Sequence, residues 1–96
     1  MKIKVTKKAI SQLEFMYSDD TKVIRIQING FGWGGPVFGI VLDEQYDDDY
    51  MEEQKGMKFA VNNDILERFS GFNIDYIASF FRKGFVVGAD YGTTTC

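Results

Sequence analysis

The most informative segment of the sequence is residues 29–44, Asn-Gly-Phe-Gly-Trp-Gly-Gly-Pro-Val-Phe-Gly-Ile-Val-Leu-Asp-Glu. Four of the six residues at 30–35 are glycines, and the only tryptophan of the chain lies among them. Glycine reaches backbone conformations that other residues avoid, at an entropic cost. We therefore expect this loop to be a functional site or a partner-binding loop. The candidate residues are Phe31, Gly32, Trp33, Gly34 and Gly35.

Strands flank the loop on both sides. Residues 22–29 alternate cleanly, which predicts a strand with Ile24, Ile26 and Ile28 on one face. Pro36 ends the loop, and residues 37–42 form a second strand that is apolar on both faces.

The N-terminal part of the chain predicts a strand and a helix. Residues 2–5 alternate as a half-buried strand does, and Thr6 is a good helix N-cap. In the helix that follows, apolar residues recur at three- and four-residue spacing, which places them on one face. These residues are Ala9, Ile10, Leu13, Met16 and Tyr17.

The second half of the chain predicts a hairpin, a short helix and two further strands. The hairpin joins residues 50–54 and 57–61 through Lys55-Gly56. The helix takes its cap from residues 62–64; with Asp64 as the cap, Glu67 completes a capping box and Gly71 ends the helix. Strands follow at residues 72–76 and 84–87.

The predicted order is therefore β-α-β-β-β-β-α-β-β, a mainly β fold with two peripheral helices. We expect one domain over residues 1–88 and a flexible tail over residues 89–96 that carries Cys96. A chain of 96 residues with 45% hydrophobic and 16% aromatic residues can bury a core of its own.

Charge and composition exclude several functions. The net charge of −3 argues against nucleic acid and against an anionic membrane as partners. No apolar run is long enough to cross a membrane and the start of the chain lacks a signal peptide, so we expect a cytoplasmic protein. The absence of histidine and of an activated nucleophile indicates no enzymatic reaction. One cysteine excludes an internal disulfide.

Two segments of the sequence have features of ligand-binding motifs. Residues 30–35 match the G-x-G-x-x-G spacing of dinucleotide-binding turns, but a β-branched run follows them where that motif needs a helix. Asp47, Asp48 and Asp49, with Glu52 and Glu53, offer carboxylates to a hard cation such as Ca²⁺. Because adjacent turn residues point in different directions, a solvated charged tip is the preferred interpretation of these carboxylates, and residues 43–49 are predicted to form a polar turn or hairpin connection.

Two single residues leave alternatives open. Trp33 is either an anchor for a partner or ligand or a lid folded back on the core, and the residue types favour neither. Cys96 is either a metal ligand or redox thiol, or an exposed thiol without a role. Its residue type alone favours the second interpretation.

The glycine loop and the strand after it resemble a known family, the HesB/IscA family of A-type iron–sulfur cluster assembly proteins. The family pattern Gly-Cys-Ser-Gly-Phe-x-Tyr-Gly-x-x-Leu-Asp aligns with residues 32–43. Gly39, Leu42 and Asp43 coincide with it, and Phe38 takes the aromatic position. Trp33 stands where the family has its first cysteine.

The resemblance continues to the end of the chain. Ile74-Asp75-Tyr76 is similar to the Ile/Val-Asp-Tyr/Phe segment of the family, and Gly84-Phe85 is similar to the Gly-Phe that precedes its C-terminal Cys-Gly-Cys. Cys96 lies eleven positions after Phe85, which aligns it with the first cysteine of that pair. The resemblance implies a β-sandwich-like pseudobarrel, a homodimer, and iron–sulfur assembly or recipient proteins as partners.

The resemblance also implies a cofactor, iron or an iron–sulfur cluster, with Cys96 as its single thiolate ligand in this chain. Proteins commonly hold such clusters with four thiolates, so other chains or small thiols have to supply the rest. The first hypothesis is thus a divergent accessory protein or carrier in iron–sulfur cluster biogenesis. The second is a cofactor-free module that binds a protein or small ligand through Phe31, Trp33 and the glycine loop.

Overall fold

The computed structural model describes residues 2–17, 21–80 and 83–90, and within them the order of elements is the predicted one. The tail residues 91–96, including Cys96, lie outside the described residues. The elements are β1 (Ile3–Val5), α1 (Lys7–Met16), β2 (Val23–Gly32), β3 (Gly35–Asp43), β4 (Asp49–Gln54), β5 (Met57–Asn62), α2 (Asn63–Leu66), β6 (Gly71–Ala78) and β7 (Lys83–Asp90).

The strands form one seven-stranded sheet in the order β1-β6-β7-β3-β2-β5-β4. The hairpins β2–β3, β4–β5 and β6–β7 are antiparallel, whereas β1 pairs with β6 and β2 pairs with β5 in parallel. Strand β3 joins the two halves of the sheet through its antiparallel pairing with β7.

Side chains of β4 bridge the two outermost strands of this sheet. The Glu52 carboxylate accepts the backbone N–H groups of Lys2 at 2.7 Å and Ile3 at 3.1 Å. The Gln54 amide donates to the carbonyl of Ile3 at 2.6 Å. The sheet is therefore curled into a nearly closed barrel, which confirms the predicted pseudobarrel.

The core lies on the inner face of the curled sheet, under α1. Ile24 and Ile26 are buried, as the alternation predicts, and Ala9 and Leu13 are the buried residues of the helix. The cap prediction for Thr6 is confirmed, because its side chain accepts the N–H of Ala9 at 3.2 Å. The largest fully buried side chains are Phe59, Phe72, Ile3, Ile24, Ile26, Ile74, Val23 and Val61.

The cap of the second helix comes from the predicted residues 62–64, but the predicted capping box of Asp64 and Glu67 is wrong. Asn62 is the N-cap of α2, and its side-chain oxygen accepts the N–H of Asp64 at 2.8 Å. Glu67 lies at the C-cap of this four-residue helix, so it completes no capping box. Gly71 belongs to β6, where a Cβ atom would lie 2.5 Å from the carbonyl oxygen of Lys2.

The domain boundary at residue 88 also needs correction. Ala89 and Asp90 continue β7 and pair with Phe72 and Gly71 of β6. These backbone bonds do not depend on large side chains, so the small and polar residues gave no strand signal. In the part of the chain that the structure describes, no helix is long and apolar enough to span a membrane.

Candidate functional site

The glycine segment forms a tight hairpin end instead of a loop. Strand β2 continues to Gly32, which pairs with Gly35 at the start of β3. Only Trp33 and Gly34 form the turn. Gly35 has φ +109°, a conformation that L side chains rarely adopt, so glycine is required at this position.

Both aromatic residues of the hairpin end are exposed. Trp33 shows 109% of its reference surface to solvent, and Phe31 shows 79%. The interpretation of Trp33 as a lid on the core is therefore wrong, and the interpretation as an anchor remains.

A β-bulge decides which way Phe31 faces. Ile28 pairs with Phe38, but the next pair is Gly30 with Val37, so Asn29 is an extra residue in β2. Because side chains alternate along a strand, one extra residue reverses the faces of all that follow. Phe31 consequently lies on the same face as Ile28, the face that is continuous with the core.

The bulge residue also explains a glycine of the aligned pattern. The side chain of Asn29 lies across Gly39 on the outer face of the hairpin, and a Cβ atom at position 39 would clash with its amide nitrogen. The Gln27 amide donates to Asn29 Oδ1 at 3.0 Å, which holds the Asn29 side chain in this position.

A buried ion pair lies further along the same outer face, and sequence analysis missed it. Arg25 binds Asp49 through two bonds, Nη1 to Oδ1 at 2.6 Å and Nη2 to Oδ2 at 2.7 Å. Its Nε donates to Asp43 Oδ2 at 2.9 Å, and Nη2 also donates to the carbonyl of Glu44. The guanidinium lies 4.7 Å from the ring centre of Tyr46.

The ion pair perturbs the titration of its members. The hydrogen bonds from Arg25 hold the pKa of Asp49 below its usual value. For Asp43, the backbone N–H of Glu44 is the main cause of a lowered pKa and Arg25 adds to it. The bond to Asp49 raises the pKa of Arg25 above its ordinary value.

This network corrects the prediction of a solvated charged tip at one of its residues, Asp49. The Asp49 side chain is 0% exposed, although its two neighbours in the Asp47–Asp49 run are exposed. The Glu52 carboxylate accepts the backbone N–H groups of Lys2 and Ile3 that close the barrel. The described residues contain no group of three or more Asp, Glu, His or Cys side chains arranged to hold a metal ion.

An apolar pocket of about 80 Å³ opens at the end of the barrel opposite the hairpin end. It lies between the C-terminal turn of α1 and strands β2, β3 and β7. Its lining residues are Leu13, Met16, Tyr17, Ile24, Ile40, Val41, Leu42 and Phe85.

Comparison with solved structures gives the class of fold. The chain resembles the crystal structure of IscA with the [2Fe-2S] cluster, with a TM-score of 0.75 and 23% identity over 98% of this chain and 88% of that chain. It also resembles Escherichia coli SufA, with a TM-score of 0.65 and 22% identity over 93% of this chain and 86% of that chain. The barrel is thus of the IscA type.

Comparison with curated sequences gives the family. The chain is 34% identical over 74 residues to the putative iron-sulfur cluster insertion protein ErpA of Neisseria meningitidis, covering 76% of this chain and 66% of that protein, slightly less than two thirds. It is 31% identical to iron-sulfur cluster insertion protein ErpA 2 of Methylococcus capsulatus, over 91% of this chain and 68% of that protein. No family model matches the chain. Because it is similar to these relatives over most of its length, the protein belongs to the A-type, HesB/IscA-like family.

The donor atoms of this chain do not by themselves fit an iron–sulfur cluster. Clusters are held mainly by cysteine thiolates, and by histidine in some cases. The described residues contain neither cysteine nor histidine, and the hairpin end presents an exposed indole at position 33. Cys96 is the only thiol of the chain.

Proposed function

We propose that this protein is a divergent accessory protein or carrier in iron–sulfur cluster biogenesis, with an incomplete set of cysteine ligands. The observation that carries the proposal is the similarity to ErpA proteins, whose names describe cluster insertion. The likeness to IscA across almost the whole chain supports it. The cluster is cargo in this proposal, and the protein performs no reaction of its own.

Two residues of the aligned pattern support the proposal, because they have structural tasks here. Gly39 leaves room for Asn29, and Asp43 binds Arg25. Both residues therefore shape the hairpin in this chain, while Trp33 stands in the position that aligns with the first cysteine of the family pattern. We propose iron–sulfur assembly or recipient proteins in the cytoplasm as its partners.

The ligand count defines what kind of carrier is proposed. One chain offers a single thiol, Cys96, so a homodimer offers two thiols where clusters commonly have four. Small thiols such as glutathione, or cysteines of a partner, supply the remaining two. Cys96 is thus the proposed ligand, and cluster binding requires an external thiol.

Anaerobic reconstitution with iron and sulfide tests this proposal. The wild type is compared with Cys96→Ser, each with and without glutathione, and visible absorbance and bound iron and sulfide per chain are measured. We expect a cluster only in the wild type with glutathione. Thr95→Ser is a matched control in the same segment that keeps the thiol. Equal binding by Cys96→Ser contradicts the ligand assignment, and no binding under any condition contradicts the carrier role.

The exposed hairpin end favours a second candidate function, a cofactor-free module that binds a protein or small apolar ligand. Phe31 and Trp33 resemble the aromatic anchors that dominate binding energy in interfaces, and both are exposed. A pull-down with wild type and Trp33→Ala tests this function. Phe15→Ala is the matched control, because Phe15 is 87% exposed on α1. A folded Trp33→Ala variant that keeps every partner refutes the module.

A further inference from the structure

The hairpin end, residues 28–37, extends beyond the strand that supports β2 on its outer side. Strand β5 runs parallel to β2, but their pairing stops where Val61 meets Ile26. At Asn63 the chain leaves the sheet and forms α2. In the part of the chain that the structure describes, no strand takes the place of β5 beside residues 29–32 of β2. These four residues, the open edge of β2, are about 13 Å long at the usual rise of a strand.

The register of the hairpin shows which backbone groups face the open edge. Gly32 and Gly35 flank the two-residue turn, so they form a hydrogen-bonded pair. Because hydrogen-bonded and non-hydrogen-bonded pairs alternate along antiparallel strands, Phe31 and Pro36 form a non-hydrogen-bonded pair. The N–H and C=O groups of Phe31 therefore point away from β3, toward the open edge. Among the described residues, no bond from another element reaches these two groups.

The opposite edge of the hairpin end is blocked by Pro36. In its non-hydrogen-bonded position the nitrogen of Pro36 points away from β2, and proline has no N–H to donate to an added strand. Strand β7 also lies on this side, where it pairs with β3 at Phe38. An edge with a free donor and a free acceptor can template a further strand. Of the two edges of the hairpin end, only the edge of β2 offers both.

Two glycines beside Phe31 leave the open edge sterically accessible. A Cβ atom at Gly30 would meet nothing within 4 Å, and a Cβ atom at Gly32 would lie at an ordinary contact distance of 3.6 Å from a valine side chain. Neither residue has a positive φ, in contrast to Gly35. The described fold therefore does not require glycine at these two positions. Glycine inside a strand often marks a site where another backbone approaches closely.

We propose that the open edge of β2 binds an extended peptide segment of a partner protein, which adds a strand to the sheet in line with β5. The inference rests on the second candidate function, an interaction role of the hairpin, and it identifies the mode of binding and the class of partner. Backbone hydrogen bonds give affinity in this mode, and side-chain contacts give specificity. The N–H and C=O of Phe31 supply the central pair of hydrogen bonds.

The side chains around the open edge define the middle of the peptide. Residues 27–42 contain no charged side chain. The ring of Phe31, which is 79% exposed, lies on the face that is continuous with the core. Aromatic and β-branched side chains form the favourable cross-strand pairs with an aromatic ring. The middle of the bound segment is therefore uncharged, with an aromatic or β-branched residue beside Phe31.

Two acidic side chains define one end of the peptide. The Asn62 amide, at the end of β5, donates to Asp48 Oδ2 at 3.2 Å, and its oxygen accepts the N–H of Asp64 at 2.8 Å. Asp48 and Asp64 therefore lie where β5 leaves the sheet, and both are exposed. A lysine or arginine at the end of the segment next to α2 complements this charge, which favours the correct partner more than it adds affinity.

A phage-displayed library of random hexapeptides tests the proposal without assuming a sequence. The library is selected on the full chain in a reducing agent, and the enriched peptides are synthesised. Trp33 emission measures their binding, and hydrogen exchange followed by NMR measures the protection of the Phe31 N–H. We expect peptides with an apolar middle and a basic end, and slower exchange of the Phe31 N–H in the complex.

Backbone methylation of the peptide separates strand pairing from side-chain contact. Successive N–H groups of a strand point to opposite edges, so two analogues are made, each methylated at one alternate set of nitrogens. Both analogues keep every side chain. We expect the analogue that lacks the protein-facing N–H groups to bind at least about tenfold more weakly than the other analogue, which is a difference of about 1.4 kcal/mol.

Two substitutions at position 31 make the same separation on the protein. Phe31→Ala removes the ring and keeps the N–H, whereas Phe31→Pro removes both. Proline is tolerated at edge positions of this kind, and circular dichroism checks the fold. We expect Phe31→Pro to bind at least about tenfold more weakly than Phe31→Ala. Phe15→Ala, an exposed change on α1, should leave binding unchanged. If Phe31→Pro does not fold, the methylated peptides decide.

Three results overturn the proposal. The first is a library that enriches no binder of the wild type. The second is a set of binders that tolerate both methylation patterns or leave exchange of the Phe31 N–H unchanged. The third is protection of this N–H in the protein alone that increases with concentration, which assigns the open edge to a second copy of the chain.

Failure of the edge proposal is distinguishable from failure of the interaction function. If strand pairing is excluded but Trp33→Ala loses a partner in the pull-down, the hairpin binds that partner through its aromatic side chains alone. If Trp33→Ala also keeps every partner, both proposals fail.

Discussion

Replacement of Arg25 by methionine tests the buried ion pair most directly. The substitution introduces an apolar side chain of similar length and removes every hydrogen bond from residue 25 to Asp49 and Asp43. Asp49, whose side chain is 0% exposed, then keeps only the N–H of Tyr46, at 2.8 Å. An uncompensated buried carboxylate costs about 3–5 kcal/mol when its partner is removed.

This cost is large for a domain of this size, because total stabilities are about 5–15 kcal/mol. Urea unfolding followed by circular dichroism measures it. With a urea m-value of about 1–3 kcal/mol per molar, the midpoint of Arg25→Met should fall by at least about 1 M. Asp43→Asn is the matched control, because it removes the partly exposed partner and keeps the Arg25–Asp49 pair; exposed pairs contribute about 0–1 kcal/mol.

The dependence of stability on pH gives a second, independent readout. In the wild type, Arg25 holds the pKa of Asp49 below its usual value. The pair therefore stabilises the fold above pH ~4, the pKa of an unfolded Asp, and its contribution is lost as the pH falls through the lower folded value.

In Arg25→Met, burial without a partner raises the pKa of Asp49 instead. The sign reverses, because the folded state now binds the proton more tightly than the unfolded state. The variant should therefore lose stability as the pH rises from about 4 toward neutrality. A loss below about 1 kcal/mol for Arg25→Met at pH 7, or an equal loss for Asp43→Asn, would refute the assignment of a buried pair.

Three further predictions concern the packing of the barrel. Gly71→Ala should lower the free energy of unfolding by about 2 kcal/mol or more, because the added Cβ atom would lie too close to the backbone oxygen of Lys2. An unchanged free energy in urea unfolding would contradict this close approach. Gly39→Ala should cost about 1 kcal/mol, since the clash is with the Asn29 side chain. Combined with Asn29→Ala, the Gly39→Ala substitution should no longer lower the free energy of unfolding. If the losses of the two single variants simply add in the double variant, the contact is excluded. Tyr50, whose pKa is raised to about 12 mainly by its bond to a neighbouring carboxylate, should contribute stability that falls between pH ~10 and pH ~12. Stability measured against pH for wild type and Tyr50→Phe checks this, and identical profiles in that range would argue against it.

Local patterns were sufficient for the order of elements. The alternation of isoleucines predicted β2, and the apolar stripe with its Thr6 cap predicted α1, because both periods come from backbone geometry within one segment. The aligned glycine segment predicted the family and its barrel. The hairpin at residues 50–61 followed from the Lys55-Gly56 turn, where both residues have positive φ.

The predictions failed where the determining contact was distant in sequence. Asp49 is buried by Arg25, which is 24 residues away, and the closure of the barrel joins Glu52 and Gln54 to Ile3 across about 50 residues. A run of acidic residues gives no sign of which member will meet a cation. The capping box of α2 was also mistaken, because residues 62–64 can all serve as caps and local sequence did not single out Asn62.

Residue type and local period were sufficient to predict the fold class, the family and the uncharged, glycine-rich hairpin. The orientation of the hairpin side chains depends on tertiary contacts that these local signals do not contain. The bulge at Asn29 depends on pairing with β3, and it turns Phe31 onto the core face beyond the point where the core ends. Trp33 is exposed because its two-residue turn lies beyond the last strand that supports the hairpin, where no other part of the described chain covers it.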